Sequence, residues 1–234
     1  MTKIDIFSGF LGAGKTTLIK KLIAEAFQGE QIVLIENEFG EIGIDGGFLK
    51  EAGIQITEMN SGCICCSLVG DFRAALKKVV EQYHPDRILI EPSGVGKLSD
   101  VTRAVETIAD EEDVKLNSFV TVADVNKVRL YMKNFGEFYN DQVSHASTIL
   151  LSRTGAASEE KTEKAVAMLR EKNPKATIVT TDWNQLTGAQ ILKAMESEDD
   201  FVQALLEQAR QTVEEHEHHH HYDENGVCSC GHHH

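Results

Sequence analysis

The amino-acid sequence predicts an α/β fold: a mostly parallel, doubly wound sheet with helices on both faces. Three observations carry that expectation. Short apolar runs alternate with longer stretches whose apolar residues recur every three or four positions, so strands and helices alternate over residues 1–200. Within the predicted strand Gln31–Ile35 the residues after Gln31 are continuously apolar, which suits a strand covered on both faces. The first run ends in a glycine-rich turn that opens directly into a helix, the start of a parallel crossover unit.

Lys3–Ser8 reads as the first strand. Lys15–Phe27 follows as a helix with Leu18, Ile19, Leu22, Ile23, Ala26 and Phe27 on one face. Gln31–Ile35 and Ile54–Met59 are the next strands, and Leu68–Tyr83 is an amphipathic helix stopped by Pro85. Arg87–Ile90 is a strand, Leu98–Asp110 a helix, Ser118–Val122 a strand, Leu130–His145 mostly helix and Ile149–Leu151 a strand. Ser158 caps a helix whose first turn carries Glu159 and Glu160, matched to the positive end of the helix dipole, and which stops near Pro174. Ala176–Thr180 is the last strand, Gly188–Met195 a short helix and Asp200–Val213 a further amphipathic one. The expected organisation is one α/β domain over residues 1–199, a helix over 200–215 and a His/Cys-rich tail over 216–234, disordered without metal.

A chain of 234 residues, 41% hydrophobic and 26% charged, is long enough for a proper core, and its three prolines exclude a disordered or collagen-like chain. The longest apolar run, Ala165–Leu169, is far short of the roughly 20 residues of a membrane span. With no charged-then-apolar leader, a cytoplasmic location is expected. The formal charge of −14 argues against a nucleic-acid or anionic-membrane surface. It still allows a small anion held by backbone amides.

Gly9-Phe10-Leu11-Gly12-Ala13-Gly14-Lys15-Thr16 fits the GxxxxGK[ST] phosphate loop, between a predicted strand and a predicted helix. Its glycines let successive amides, those of Gly9, Gly12, Ala13, Gly14 and Thr17 among them, point at phosphates, and the helix N-terminus adds its dipole. Lys15 is expected to reach the β- and γ-phosphates and to face solvent without ligand; the Thr16 hydroxyl is expected to ligate Mg²⁺. Glu91 ends a buried strand where a carboxylate could hold Mg²⁺ or its water shell, and Gly94 could bring an amide to the γ-phosphate. The plain alternative for Glu91 is a surface carboxylate at a strand end.

Cys63, Cys65 and Cys66 follow a predicted strand, and three sulfurs at i, i+2 and i+3 can converge on one Zn²⁺, Cu⁺ or similar ion. Three ligands leave a tetrahedral site incomplete, which suits an ion in transit better than a structural clip. The alternative is three small buried residues beside a helix. The tail carries His216, His218, His219, His220, His221, Cys228 and Cys230, donors for Zn²⁺, Ni²⁺ or Co²⁺; an artificial tail is the competing explanation.

Together, the phosphate loop, the segment Glu36-Asn37-Glu38-Phe39-Gly40-Glu41-Ile42-Gly43-Ile44-Asp45, the Gly62–Cys66 motif and Glu91-Pro92-Ser93-Gly94 resemble the CobW-like branch of the CobW/HypB/UreG P-loop GTPases. The likeness spans residues 3–195. It implies a GTPase that uses GTP and Mg²⁺ to deliver a transition metal (Zn²⁺ favoured, Co²⁺ or Ni²⁺ possible) or a metal cofactor to a client metalloprotein. It also implies that the three-cysteine loop lies in the nucleotide-responsive switch region. Glu38, Glu41 and Asp45 match the family segment and, in a glycine-punctuated loop near the site, could face Mg²⁺ or the transferred metal, the alternative being an exposed acidic loop.

Two features depart from the family pattern. The family reads guanine with Asn-Lys-x-Asp, and the matching stretch here is Ser152-Arg153-Thr154-Gly155. Ser152 replaces the Asn and Arg153 could stack over a base, but Gly155 has no carboxylate, so the preference for guanine is expected to fall to about tenfold, or about 1.4 kcal/mol. Asp182 or Trp183 stands after the last strand as a possible replacement. The second departure is the short C-terminal part, where relatives often carry a further domain. Arg73, at the start of its helix, could serve as a catalytic cation but suits a surface role better; a partner or a second copy of the chain would then complete the site. Two rival functions also fit the sequence: a metal buffer with a nucleotide-gated site, and a P-loop kinase.

Overall fold

The structure is a computed structural model that describes residues 1–36, 55–58, 69–109 and 113–196. Its strands are β1 (Thr2–Ser8), β2 (Ile32–Glu36), β3 (Gln55–Glu58), β4 (Arg87–Glu91), β5 (Val114–Asp124), β6 (Thr148–Ser152) and β7 (Thr177–Val179). They form one sheet in the order β3-β2-β4-β1-β5-β6-β7, and every pairing is parallel. The helices are α1 (Lys15–Glu25), α2 (Val69–Tyr83), α3 (Leu98–Ala109), α4 (Val128–Asn134), α5 (Gly136–Ser144), α6 (Glu159–Lys172) and α7 (Gly188–Glu196). The expected doubly wound class and its helices are present. The expected helix over 200–213, the tail and the three-cysteine loop lie outside the described residues.

Successive strand side chains point to opposite faces, and this alternation builds two cores. Ile4 and Ile6, Val33 and Ile35, and Ile88 and Ile90 face Leu76 and Val79 of α2, Val101 and Val105 of α3 and Val143 of α5. Phe7, Leu34 and Leu89 face the other way, against Leu18, Ile19 and Leu22 of α1 and Ile191 and Met195 of α7. The period-2 register of the strands therefore decides which helix lands on which face.

Two elements differ from expectation. β5 begins at Val114 rather than Ser118, with Val114 and Leu116 buried and Lys115 exposed between them. Thr2 pairs with Val114, so β1 recruits a stretch whose polar residues hide its strand character. The single helix expected over Leu130–His145 is two, broken at Phe135, which leaves helical geometry at φ −131° and ψ 33° just before Gly136. A glycine costs a helix about 1 kcal/mol, and the chain turns there instead of continuing.

At the amino-terminal edge of the sheet lies a buried ion cluster. Arg87 is 1% exposed and donates to the carboxylates of Asp5, Glu30 and Glu196. Its guanidinium lies 4.4 Å from the centre of the Phe27 ring. Burial works against the charge on Arg87, but the bonds and charges of Glu30 and Asp5 outweigh it and hold the guanidinium protonated, above its already high ordinary value. The opposite, carboxyl-terminal edge carries the phosphate loop.

Candidate phosphate-binding site

The loop between β1 and α1 turns on three glycines with positive φ: Gly9 at 141°, Gly12 at 69° and Gly14 at 109°. Gly14 is the N-cap of α1, and the Trp183 ring lies so near that a Cβ there would fall 3.0 Å from it. The Ala13 amide donates to the Phe10 carbonyl at 3.1 Å, and Thr17 is exposed. Phe10 anchors the loop in an aromatic cluster, its ring centre 4.4 Å from Tyr131 and 4.7 Å from Phe135. Tyr139 completes the cluster, its phenol pushed well above the ordinary range by burial and by the Asp124 charge.

Lys15 is 7% exposed, which corrects the expectation that it faces solvent. Its Nζ donates to the Gly9 carbonyl at 3.0 Å and lies 3.9 Å from Glu91 Oε1. The loop's own carbonyl and a neighbouring carboxylate replace part of the water that burial removes. The Thr16 hydroxyl donates to both Glu91 oxygens, at 3.1 and 3.3 Å. Glu91 is 2% exposed at the end of β4, so it is not the surface carboxylate of the plain alternative. A hydroxyl, a carboxylate and an ammonium thus converge from residues 75 positions apart.

Glu36 is a residue that sequence reasoning missed. It ends β2 in register with Glu91 and is buried, so two carboxyl groups end adjacent strands beside the phosphate loop. The signal was available: an acid closing a continuous apolar strand is the pattern that singled out Glu91. Asp124 at the end of β5 was missed as well.

The loops after β4 and β6 also reach the phosphate loop. A Cβ on Gly94 would lie 2.8 Å from the Leu11 nitrogen, and Gln142 of α5 holds this turn by donating to the Gly94 and Gly96 carbonyls at 3.1 and 2.8 Å. Ser152 is buried at the end of β6. Arg153 sits in left-handed geometry, donating to the Asp124 carboxylate and, at 2.9 Å, to the Gly12 carbonyl. Half of its side chain is exposed beside the loop.

Cys63, Cys65, Cys66, Glu38, Glu41 and Asp45, with the tail residues His216, His218, His219, His220, His221, Cys228 and Cys230, lie outside the described residues. β3 runs parallel to β2, so the chain enters the cysteine segment from the same sheet edge that holds the phosphate loop.

Comparison with known proteins agrees with this architecture. The zinc chaperone YeiR of Escherichia coli K12 is 31% identical over 173 residues, covering 74% of this chain and 52% of the relative. The zinc chaperone CobW of a Sinorhizobium species is 34% identical over 177 residues, 64% of this chain and 50% of the relative. The chain thus spans about half the length of these curated relatives. Two crystal structures share the fold. The Zn(II)-bound YjiA GTPase from E. coli superposes with a TM-score of 0.56 at 23% identity, over 88% of this chain and 69% of that one. The hydrogenase maturation factor HypB from Archaeoglobus fulgidus has a TM-score of 0.56 at 19% identity, over 88% and 90%. The family profile described as CobW/HypB/UreG, nucleotide-binding domain, matches residues 3–180, and the chain belongs to that family.

Proposed function

We propose that this chain is a GTP-hydrolysing metallochaperone of the cytoplasm that hands a transition metal, Zn²⁺ foremost, to a client metalloprotein. The observation that carries the reading is the convergence of Lys15, Thr16 and Glu91 on the phosphate loop. An oxygen donor set of one hydroxyl and one carboxylate suits Mg²⁺. Thr16 and Glu91 would hold that ion, which when bound neutralises charge on the phosphates. Gly9, Gly12, Ala13, Gly14, Thr17, Gly94, Ser152 and Arg153 contact the nucleotide, and Lys15 faces its β- and γ-phosphates. Water attacks the γ-phosphate in line, and the chain contributes position and charge stabilisation.

The metal is cargo. Cys63, Cys65 and Cys66 hold it as thiolates, Glu38 and Glu41 belong to the acidic segment that follows β2, and the tail histidines with Cys228 and Cys230 add further capacity. The names of the relatives, zinc chaperones and a zinc-regulated GTPase metalloprotein activator, support zinc and a client over the buffer and kinase alternatives.

The test is calorimetry of Zn²⁺ binding to the reduced protein, with and without a non-hydrolysable GTP analogue. Metal and nucleotide affinities should change each other by the same factor, about 5- to 150-fold. Cys65→Ser should abolish this linkage and leave nucleotide binding in place; deletion of residues 216–234 should remove ions without removing the linkage. A linkage that survives loss of the three loop cysteines and vanishes with the tail overturns the reading.

A further inference from the structure

We infer that Asp182, from the loop after β7, is the carboxylate that selects the base of the bound nucleotide, in a place that Gly155 keeps open for it. This inference rests on the nucleotide-binding reading above. It begins from a juxtaposition: a Cβ built on Gly155 would overlap Asp182 Oδ2, with Cγ 3.2 Å and Cβ 3.6 Å away. The space that a side chain at position 155 would enter is therefore filled by a carboxylate from a different loop. Asp182 Oδ1 is engaged, accepting the Asn184 amide at 2.9 Å, and this bond orients the group so that Oδ2 is the oxygen turned to Gly155.

The surroundings identify what that carboxylate meets. Glu91, Glu36 and the Gly94 turn occupy the β2 and β4 side of the phosphate loop. A nucleotide seated there by its phosphates sends its base the other way, toward the loops after β6 and β7. Those loops are docked on the phosphate loop: Arg153 donates to the Gly12 carbonyl at 2.9 Å, and Trp183 covers Gly14. Between them lies Ser152, 2% exposed, whose hydroxyl has no hydrogen-bond partner among the described residues. Its Cβ is 4.0 Å from where a Cβ on Gly14 would stand. A buried hydroxyl left without a partner at this position marks a place where a ligand atom completes the bonding.

A carboxylate only accepts hydrogen bonds. The pairing edge of guanine offers two adjacent donors, N1–H and the 2-amino group. The same edge of adenine sets an acceptor beside a donor, so one lone pair would oppose the carboxylate. Asp182 therefore favours guanine and rejects adenine, and the discrimination that a bare Gly155 would lose is restored from another strand end.

The experiment is competition of GDP, ADP and xanthosine diphosphate against a fluorescent guanine nucleotide on the full chain. The unaltered protein should prefer GDP over ADP by about 100-fold or more. Asp182→Asn keeps an oxygen for the Asn184 amide and puts an NH₂ where Oδ2 stood. Its preference for GDP over ADP should fall below about tenfold, while xanthosine diphosphate, with an acceptor at position 2, should gain about tenfold or more on GDP. Circular dichroism and Tm establish that the variant is folded. Gly155→Asp combined with Asp182→Ala should return the carboxylate from the other loop and recover guanine preference over Asp182→Ala alone. A GDP-to-ADP ratio that Asp182→Asn leaves unchanged overturns the inference, and so does an unaltered protein that binds both alike. A chain that binds no nucleotide at all overturns the function proposed above as well.

Discussion

Gly9→Ala tests whether the phosphate loop is held by its contact with the sheet. Gly9 sits at φ 141°, and a Cβ there would overlap the Val122 carbonyl oxygen and come within 3.1 Å of its nitrogen and 3.2 Å of its carbonyl carbon. Val122 is fully buried in β5, between β1 and β6, so it is poorly placed to yield. Holding a non-glycine residue in such backbone geometry costs about 1–3 kcal/mol. Overpacking against a rigid neighbour adds about 1–3 kcal/mol. The expected loss is therefore about 2–6 kcal/mol, a large share of the roughly 5–15 kcal/mol of a typical domain. Gly12→Ala is the internal control: φ is 69°, nothing lies within 4 Å of its Cβ, and only the backbone cost applies. Denaturant unfolding of both variants, followed by GDP titration, separates the two contributions. Gly9→Ala should have the lower midpoint and the weaker nucleotide affinity. Equal midpoints would mean that the contact with Val122 does not shape the loop.

Lys15→Ala should cut GTP hydrolysis by about 100-fold or more, since a charge facing the phosphates is lost. Because Lys15 is buried on the Gly9 carbonyl, the same variant should also lose about 1.5–3 kcal/mol of stability, and an unchanged unfolding midpoint would contradict that burial. Arg87→Met should cost about 3–5 kcal/mol in denaturant unfolding, because Asp5 stays buried with only the Asn117 and Ser118 bonds to offset it. Arg87→Met combined with Asp5→Leu should recover part of that loss. Glu196 is pulled toward neutrality by burial, but bonds from Asn117 and Lys3 and the Arg87 charge outweigh this and hold it below its ordinary 4.5. Its contribution is present above pH 4.5 and is lost as pH falls through the lower folded value, so the stability gap between the parent and Glu196→Gln should shrink there; a gap independent of pH refutes the assignment.

Much of this molecule is legible in its local sequence. The period of apolar residues separates Lys15–Glu25 as a helix from Ile32–Glu36 as a strand, because each pattern buries one continuous surface only in its own geometry. The phosphate loop is legible too, since Gly9, Gly12 and Gly14 occupy positive φ that other residues rarely adopt. Where sequence reasoning slipped, local signals conflicted: Lys115 and Asn117 masked the start of β5, and Phe135–Gly136 broke a helix that its flanks continued. Other features depend on pairs far apart in the chain. Thr16 meets Glu91 across 75 positions because the sheet sets β4 beside β1. Lys15 is buried because the loop folds back to offer it the Gly9 carbonyl. Asp182 lies against Gly155 because β7 pairs with β6 and brings their following loops together. Sequence by itself determined which segments are helix and strand, some of their ends aside, and which loop carries the phosphate-binding pattern, since these follow from backbone freedom and one-dimensional periodicity. Only the tertiary structure decided which carboxylate stands beside which partner, since strand order and register are set by burying both faces of the sheet at once.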